Sequence, residues 1–381
     1  MIIEIEKEYA ETIHQIRDLV QSKNCRPDIL YGDLYTVVAV EGDASQLDPD
    51  FIQTFPGVVR AWRISSPYKT IARRVIGDTH QKIEKKRLEI TVRGKDGLDR
   101  VFRDDRFIFI AGPCAVESYD QTARIGEGLA KLADRYGIRD RMILRGGAFK
   151  PRTRPLDFRG LGWEALDLLD RVRDTTGLPY CTEVMAVSQV REMASRADIL
   201  QIGTRNFQNF DLLEAVGKTG KPVLYKRGIS AELEEWLAAA EYIALSGNKN
   251  ILLCERGVKS TVNGDYNRNH IDLDVIPAVR HRTILPILID PSHSAGVAEL
   301  VPYQFCAATV YRANGTLVEV IADDTDRKTI RCDARQGVRL NVYEKMIRFQ
   351  LAFESIGIRF DSSPEYESKF LSPGEHSTVN K

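Results

Sequence analysis

The sequence lacks a long apolar run, an excess of charge of one sign, and closely spaced cysteines. Across 381 residues, no apolar stretch approaches the roughly 20 residues that a membrane-spanning helix needs. The opening MIIEIEKEYAE carries acids where a secretory signal has bases, so we predict no signal peptide. Lysine plus arginine number 54, as do aspartate plus glutamate. The chain therefore lacks the basic surplus needed for sequence-independent binding to nucleic acid or to a membrane surface.

The six cysteines form no CxxC pair; they are Cys25, Cys114, Cys181, Cys254, Cys306 and Cys332. In a chain of this length, scattered cysteines are typical of reduced thiols, and we therefore predict a cytoplasmic protein. The hydrophobic content of 43% is ordinary, which excludes the disordered and fibrous classes. The length favours one large domain and one small one.

Residues 1–64 form the predicted small domain. Strand-like and helical patterns follow one another there in the order β-α-β-β-α-β, which is typical of an α+β ferredoxin-like domain. A polar stretch over 65–105 is predicted to be a connector that carries a possible β-hairpin. The end of the chain, 362–381, is rich in Ser, Pro and Glu, and we expect it to be disordered.

From residue 106 to 361, short apolar runs alternate with longer amphipathic stretches such as Gly296–Tyr311. Eight such runs occur, at 107–111, 142–144, 179–182, 199–202, 223–225, 251–253, 286–289 and 316–318. Eight buried strands that alternate with helices over about 250 residues predict a (β/α)8 TIM barrel. A doubly wound open sheet also fits the alternation, but it usually has fewer strands.

Ionisable residues follow every one of these eight runs. Active sites of barrels lie at the carboxyl ends of the strands, so these residues predict a site there. Its cations are Arg145, Lys150, Arg152, Arg205, Lys226 and Arg256. Such a cluster is costly unless anions fill it, which predicts ligands with several phosphate or carboxylate groups. The alternative is that each cation pairs with a neighbouring acid.

A metal site is predicted at the same end of the barrel. Cys114, His293 and Glu319 follow strands one, seven and eight, which are neighbours in a closed barrel. One soft, one intermediate and one hard ligand suit a divalent transition metal, and this set accepts manganese, iron, cobalt or zinc. A fourth ligand is expected from the loop after strand eight, where the candidates are Asp323, Asp324, Asp326 and Asp333.

Several of these segments resemble one known family. GPCAVES, RGGAFKPRTRP, QIGTRNFQNF, YKRG, LLCERG and ILIDPSHSAG are similar to motifs of the type I-beta 3-deoxy-D-arabino-heptulosonate 7-phosphate (DAHP) synthases. The resemblance runs from about Phe107 to Leu340. Residues 1–64 are similar to the ferredoxin-like regulatory domain that some members carry before the barrel.

The resemblance implies a reaction and a role for each motif residue. The family condenses phosphoenolpyruvate with erythrose 4-phosphate and releases phosphate, as the first step of the shikimate pathway to the aromatic amino acids. By resemblance, one divalent metal lies on Cys114, His293, Glu319 and Asp333. Phosphoenolpyruvate lies on Arg145, Lys150, Glu183, Arg205, Lys226 and Arg256. Erythrose 4-phosphate lies on Arg152 and Thr153.

The implied catalytic set is Cys114, His293, Lys150 and Glu183. Lys150 is expected to deliver a proton to the developing alkoxide, and either Glu183 or a metal-bound water is expected to assist the addition of water. Family members with the small domain suggest that an aromatic amino acid binds there. A homotetramer is likewise expected by resemblance.

Some segments depart from the family pattern and keep alternatives open. Thr204 stands where the family commonly has Ala, the loop 259–269 is altered, and about three extra residues precede Asp333. A different aldose phosphate, including that of the octulosonate 8-phosphate synthases, is therefore one alternative. A Schiff-base aldolase that uses Lys226 as its nucleophile is a second. A non-enzymatic sensor is a third.

Overall fold

A computed structural model describes residues 1–32, 34–62, 68–73, 86–152, 154, 156–260 and 267–357. The predicted site residue Thr153, the predicted tail 362–381 and part of the altered loop lie outside the described residues. The chain divides into two compact units. The first contains the described residues up to Thr70, and the second contains Ile71–Arg73 and the described residues from Lys86 onward.

The first unit is one antiparallel sheet with two helices. Its elements are β1 (Ile2–Glu6), α1 (Ala10–Ser22), β2 (Arg26–Tyr31), β3 (Tyr35–Glu41), α2 (Pro49–Ile52) and β4 (Val58–Trp62). The strand order β2-β3-β1-β4, with each adjacent pair antiparallel, is that of a ferredoxin-like domain. Ile13, Ile16 and Val20 recur at helical spacing on α1, and this apolar stripe is buried with Ile3 and Ile5 of β1.

The second unit contains a two-stranded hairpin before the barrel. It consists of β5 (Ile90–Arg93) and β6 (Asp99–Phe102), and it lies in the stretch predicted to be a connector. Ile90, Val92 and Phe102 are buried against the amino-terminal halves of the barrel strands that follow. The hairpin therefore covers the end of the barrel opposite the expected active site.

Eight parallel strands form the barrel, as predicted. They are β7 (Ile108–Gly112), β8 (Met142–Arg145), β9 (Tyr180–Val184), β10 (Ile199–Ile202), β11 (Val223–Lys226), β12 (Ile251–Glu255), β13 (Ile287–Ile289) and β14 (Gly315–Ile321). The pairing of β14 with both β13 and β7 closes the sheet. The strands are buried along their whole length, which explains why they read as continuous apolar runs rather than as alternating ones. The prediction of a (β/α)8 barrel after a ferredoxin-like domain is confirmed.

Helices alternate with the barrel strands along the chain. They are α3 (Tyr119–Arg135), α4 (Trp163–Thr176), α5 (Val187–Arg196), α6 (Phe210–Gly217), α7 (Leu233–Leu245), α8 (Val275–Arg282), α9 (Pro291–Ala295), α10 (Val301–Val310) and α11 (Leu340–Ile356). A short strand β15 (Val338–Arg339) extends the sheet beside the end of β14. Within the described ranges, no helix is both long and apolar enough to cross a membrane.

The helix predicted over Gly296–Tyr311 is wrong at its start. Gly296 has φ +73° and ends α9, because a left-handed residue caps a helix rather than beginning one. The next helix, α10, begins at Val301, where Pro302 occupies the first turn without needing a backbone N–H partner. The loop between the two helices follows from these two residues.

Candidate active site

The carboxyl ends of the barrel strands bring most of the predicted site residues together. The buried members are Cys114, Arg145, Lys150, Glu183, Lys226, Arg256 and Glu319, and His293 is nearly as enclosed. Arg205 lies at the exposed rim, where one guanidinium nitrogen donates to the carbonyl of Pro151 at 3.1 Å. These described residues therefore lie at the same end of the barrel, with Arg205 at its edge.

Two thiols lie in contact at this end of the barrel, which we call its mouth. The Sγ atoms of Cys114 and Cys332 are 2.9 Å apart, and the Sγ of Cys114 is 3.5 Å from Oδ2 of Asp333. The ligand atoms of these three residues all lie within 4.8 Å of one another. The Nζ atom of Lys150 lies 3.3 Å from the Sγ of Cys114 and donates to the Cys114 carbonyl at 3.2 Å.

The two thiols differ in acidity. Burial, the hydrogen bond with Cys332 and the charge of Glu319 raise the pKa of Cys114 well above its usual range. The same hydrogen bond, helped by the charge of Lys150, lowers the pKa of Cys332 despite its burial. Burial also lowers the pKa of Lys150, but the two sulfurs outweigh it and leave that pKa raised. Lys150 is therefore a charged proton donor beside the pair.

A second group of donors lies beside the thiols. The Nε2 atom of His293 is 3.5 Å from Oε1 of Glu319. Arg145 donates to Oε1 of Glu319, and Gln336 donates to its Oε2, each at 2.7 Å. Burial raises the pKa of Glu319, but the neighbouring His293 and the charges of Arg145 and Lys150 lower it to about 2, so the carboxylate is ionised.

Asp290 holds the ring of His293 in one orientation. It caps the five-residue helix α9, and its Oδ1 accepts the backbone N–H of His293 at 3.0 Å. Its Oδ2 lies 2.7 Å from Nδ1 of the same ring, which leaves Nε2 turned toward Glu319. Burial lowers the pKa of His293, and the charge of Asp290 does not fully restore it, so the neutral ring is favoured. A neutral imidazole with one nitrogen hydrogen-bonded to a carboxylate is the usual form of a metal-binding histidine.

The donor set fits the divalent metal that the sequence predicts. It offers the Cys114 thiol, the His293 imidazole, and the carboxylates of Glu319 and Asp333, a mixture suited to a transition metal. Glu319 and His293 are each held by hydrogen bonds to other residues, as metal ligands normally are. Among the described residues, the ligand atoms of Cys114 and Asp333 converge with the Cys332 sulfur, and His293 lies 3.5 Å from Glu319. A single site formed by the four predicted ligands stays a prediction.

The cations of the mouth are only partly neutralised. Arg145 pairs with Glu319, and Lys226 pairs with Asp290. Among the described residues, the other predicted cations form no ion pair with a carboxylate. Arg256 is buried and donates only to the neighbouring Gly257 carbonyl, and Nη2 of Arg152 is buried without a hydrogen-bond partner there. Pairing of every cation with an acid is thus wrong for this site, and anion binding is favoured.

Two glycines permit close approaches around the site. A Cβ atom on Gly203 would lie 1.9 Å from Oε1 of Glu183, whose other oxygen accepts from Gln201 at 3.2 Å. A Cβ atom on Gly147 would lie 2.7 Å from the carbonyl oxygen of Cys114 and 2.8 Å from Cδ of Lys150. Glycine at these two positions thus allows Glu183 and Lys150 to occupy their places.

The sequence did not reveal the roles of Cys332, Asp290 and Gln336. The sequence analysis counted Cys332 only as one of six scattered cysteines. Its position next to the candidate ligand Asp333 could have indicated a place in the site. Asp290 holds both His293 and Lys226, and its place three residues before His293 is that of a helix-capping residue. Gln336 follows Asp333 by three residues, and its side-chain amide donates to Oε2 of Glu319. Sequence spacing alone does not show these contacts.

The fold and site define a (β/α)8 barrel with cationic side chains at the carboxyl ends of its strands. Comparison with known proteins gives its family. Residues 95–355 match the model of the DAHP synthetase I family, and residues 1–66 match that of the DAHP synthase ferredoxin-like domain. The chain belongs to the DAHP synthetase I family, and it is an enzyme of that family.

Individual relatives agree with this assignment. The chain is 36% identical over 338 residues to the phospho-2-dehydro-3-deoxyheptonate aldolase of Thermotoga maritima, covering 89% of this chain and 93% of the relative. A crystal structure of the Thermotoga maritima enzyme, described as a DAHP synthase, matches with a TM-score of 0.67 at 33% identity, covering 94% of this chain and 98% of that one. The chain is also 32% identical to a 2-dehydro-3-deoxyphosphooctonate aldolase of Desulfosudis oleivorans, over 56% of this chain and 79% of the relative.

Proposed function

We propose that this enzyme condenses phosphoenolpyruvate with erythrose 4-phosphate and water to give DAHP and inorganic phosphate. The observation that carries the proposal is that neither Arg152 nor buried Arg256 forms an ion pair with a described carboxylate. The Nη2 atom of Arg152 is buried without a described partner, and Arg256 donates to the Gly257 carbonyl. Two phosphorylated substrates, one of which also has a carboxylate, supply the anions that these groups lack. The family and the name of the Thermotoga maritima relative support the same reaction.

The positions of the cationic side chains determine where we propose that each substrate binds. Phosphoenolpyruvate lies on the buried residues Arg145, Lys150, Glu183, Lys226 and Arg256, and on Arg205 at the exposed rim of the mouth. The erythrose phosphate lies on Arg152, whose buried Nη2 faces no described partner, and on Thr153, which is outside the described residues. Guanidinium groups match phosphate oxygens two at a time, which favours arginine at both positions.

The proposed chemistry forms one carbon–carbon bond. A divalent ion held by Cys114, His293, Glu319 and Asp333 supplies Lewis acidity toward the aldehyde. C3 of the enol phosphate attacks the aldehyde carbon, and Lys150 gives its proton to the alkoxide oxygen as that bond forms. Lys150 suits this role because it is buried, charged and next to the metal-binding residues.

Loss of phosphate completes the proposed reaction. Water adds at C2 of the former enol phosphate, and the carboxylate of Glu183 accepts a proton from it. The resulting hemiketal phosphate expels inorganic phosphate, whose charge Lys226 and Arg256 stabilise in the buried site. Both cations are already in place before the reaction, so they need no rearrangement when charge develops.

A direct assay tests the proposal. Purified protein with a divalent metal, phosphoenolpyruvate and erythrose 4-phosphate is expected to consume the enol phosphate absorbance and release phosphate. A chelator and the Cys114→Ala variant should each abolish the signal. Turnover that continues in both would contradict the metal-dependent reaction. A protein that binds phosphoenolpyruvate without turning it over would point to another aldehyde.

A longer aldose phosphate is the second candidate substrate. It is favoured by the similarity to 2-dehydro-3-deoxyphosphooctonate aldolases, whose eight-carbon product corresponds to a five-carbon aldose added to phosphoenolpyruvate. Comparing kcat/KM for four-carbon and five-carbon aldose phosphates in the same assay distinguishes the two. We expect the four-carbon substrate to be preferred.

A Schiff-base mechanism is disfavoured by the partner of Lys226. Its amine forms a buried ion pair with Asp290, which occupies the nitrogen that would have to attack a carbonyl. Reduction of the working enzyme with borohydride is expected to trap no substrate adduct. An adduct on Lys226 would support the aldolase instead.

The ferredoxin-like domain is proposed to regulate the enzyme by binding an aromatic amino acid. The family match over residues 1–66 supports this role. Tyrosine or phenylalanine should inhibit the full chain, whereas a variant without residues 1–64 should remain active and uninhibited. A truncated form of the Thermotoga maritima enzyme is among the solved structures that resemble this chain, which makes the deletion practicable. Inhibition that survives the deletion would refute the idea.

The remaining parts of the proposal are a homotetramer and a cytoplasmic location. The location rests on the six cysteines, all of which are free thiols in the structure. Light scattering on the purified chain tests the tetramer.

A further inference from the structure

We propose that Cys332 is a further ligand of the metal centre, which makes it a two-thiolate site that prefers Zn²⁺ or Cd²⁺ over Mn²⁺. The inference rests on the metal centre of the proposed function, to which it adds a ligand and a metal preference. It concerns a residue that the sequence motifs did not single out.

The position of the sulfur carries the proposal. Cys332 is buried, and its Sγ lies 2.9 Å from the Sγ of Cys114 and 3.8 Å from Oδ2 of Asp333. Within the described residues, Cys114, Cys332 and Asp333 are the set of potential ligands whose atoms converge within 4.8 Å. Any ion that contacts both Cys114 and Asp333 would therefore lie beside the Cys332 sulfur.

The backbone explains how two consecutive residues reach one point. In an extended segment, successive side chains point to opposite sides. Asp333 instead has φ +48°, a left-handed conformation that is uncommon outside glycine and costs backbone energy. With this turn, the side chains of Cys332 and Asp333 both contact Cys114. A strained residue that aligns two potential ligands fits a binding role.

The surroundings distinguish Cys332 from an ordinary buried thiol. A buried cysteine usually acts as a small apolar side chain. Cys181 and Cys254 do so here, because each belongs to the apolar cluster inside the barrel. Cys332 has the carboxylate of Asp333 next to it, and its partner Cys114 receives the ammonium of Lys150 at 3.3 Å. Charged groups of both signs around a sulfur favour coordination rather than packing.

A second thiolate changes which metals the site prefers. Soft sulfur ligands favour zinc and its heavier relatives, whereas carboxylates suit manganese and magnesium. Removing the Cys332 sulfur should weaken Zn²⁺ binding by at least the roughly 10–100-fold that loss of a ligand's supporting partner typically costs. Mn²⁺ binding should change much less, because it depends more on Glu319, Asp333 and His293.

Cobalt spectroscopy on the full-length enzyme tests this. Co²⁺ bound to thiolates absorbs in the near ultraviolet, with an intensity that grows with the number of sulfur ligands. We expect two-thiolate intensity in the unsubstituted enzyme, one-thiolate intensity in Cys332→Ser, and no loss in Cys306→Ser, a control thiol on α10. Competition between Zn²⁺ and Mn²⁺ for the same variants measures the preference. Cadmium-113 NMR of the unsubstituted enzyme counts sulfur ligands without any substitution.

The outcomes separate this inference from the proposed function. Unchanged cobalt absorption in Cys332→Ser, with complete loss in Cys114→Ser, would keep the metal centre but overturn the role of Cys332. Absence of thiolate absorption in every form, including the unsubstituted enzyme, would overturn the metal centre as well. Peptide mapping that finds Cys114 and Cys332 joined in the metal-loaded enzyme would also overturn it, because an oxidised pair cannot supply two thiolates.

Discussion

The two ends of the barrel differ in whether their buried arginine side chains have acidic partners. At the amino-terminal end, Arg100 is fully buried, and its guanidinium forms two 2.6 Å hydrogen bonds to Asp96 and further bonds to backbone carbonyls. At the carboxyl end, Arg256 is nearly as buried but donates only to Gly257 among the described residues, and Nη2 of Arg152 lacks a partner there. A charge satisfied internally stabilises the fold, whereas one left unsatisfied is available to a ligand.

The largest expected effect comes from removing the buried ion pair between Asp96 and Arg100 at the amino-terminal end of the barrel. Asp96→Asn removes the charge that faces fully buried Arg100, and it should lower the free energy of unfolding by about 3–5 kcal/mol. Urea unfolding measures this, and kcat/KM of the folded variant should change little because the hairpin lies away from the mouth.

The exposed pair of the same hairpin is the matched control. Arg93 and Asp99 lie 3.0 Å apart with side chains 68% and 44% exposed. Asp99→Asn should therefore cost less than about 1 kcal/mol. Equal costs for the two substitutions would show that burial of Arg100 is not what makes its partner important.

Removing a cation that lacks an acidic partner should lower kcat/KM and leave the stability of the protein intact. Burial lowers the pKa of Arg256, because the surrounding protein excludes water from its charge. Arg256→Met should therefore leave stability unchanged or raise it, while kcat/KM falls by about 100–1000-fold because the expelled phosphate loses a stabilising charge. Steady-state kinetics and thermal unfolding on the same preparation measure both.

Arg227 is the control for this substitution. It follows Lys226 directly, and its guanidinium pairs with Glu255 and Asp272. Arg227→Met should lower stability by more than Arg256→Met does, since it leaves the buried Glu255 carboxylate unpaired. If Arg256→Met were the more destabilising of the two substitutions, the claim that charges without an internal partner do not stabilise the fold would be wrong.

A steric change at the mouth should have a smaller effect. Gly203→Ala places a Cβ atom 1.9 Å from Oε1 of Glu183, so the carboxylate must move. We expect kcat to fall by about 10–100-fold, as small misplacements of reacting groups typically cause. In a Glu183→Ala background, the same glycine substitution should cost much less. Additive losses would mean that Gly203 acts through the backbone instead.

The sequence was most informative where burial is complete. Parallel barrel strands are covered on both faces, so each appears as a continuous apolar run, and the residue after each run is directed to the mouth. This reasoning located Arg145, Lys226 and Glu319. It could not show that Arg227 pairs with Glu255 whereas Lys226 pairs with Asp290, because those partners come from other strands.

Long-range contacts explain what sequence reasoning missed. Cys114 and Cys332 are 218 positions apart, so no local pattern predicts that their sulfurs touch. The left-handed conformation of Asp333 is equally hard to predict, since only a small fraction of non-glycine residues adopt it, although aspartate does so more often than most. Both features belong to the loop after β14, where the sequence also departs from the family pattern.

The smallest predicted effect is the pH dependence of the stability that the Asp96–Arg100 interaction contributes. Burial raises the pKa of Asp96, but the hydrogen bond and charge of Arg100, with the Leu98 amide and Arg139, lower it below its ordinary value of 3.8. A carboxyl whose pKa is lowered on folding stabilises the protein above its unfolded pKa and loses that contribution as pH falls through the folded one. The stability gap between the unsubstituted enzyme and Asp96→Asn should therefore be constant near neutrality and shrink below about pH 4. Urea midpoints of both proteins across this range measure the gap. A gap that stays constant down to the lowest pH at which both fold would show that the interaction with Arg100 does not depend on the charge of Asp96.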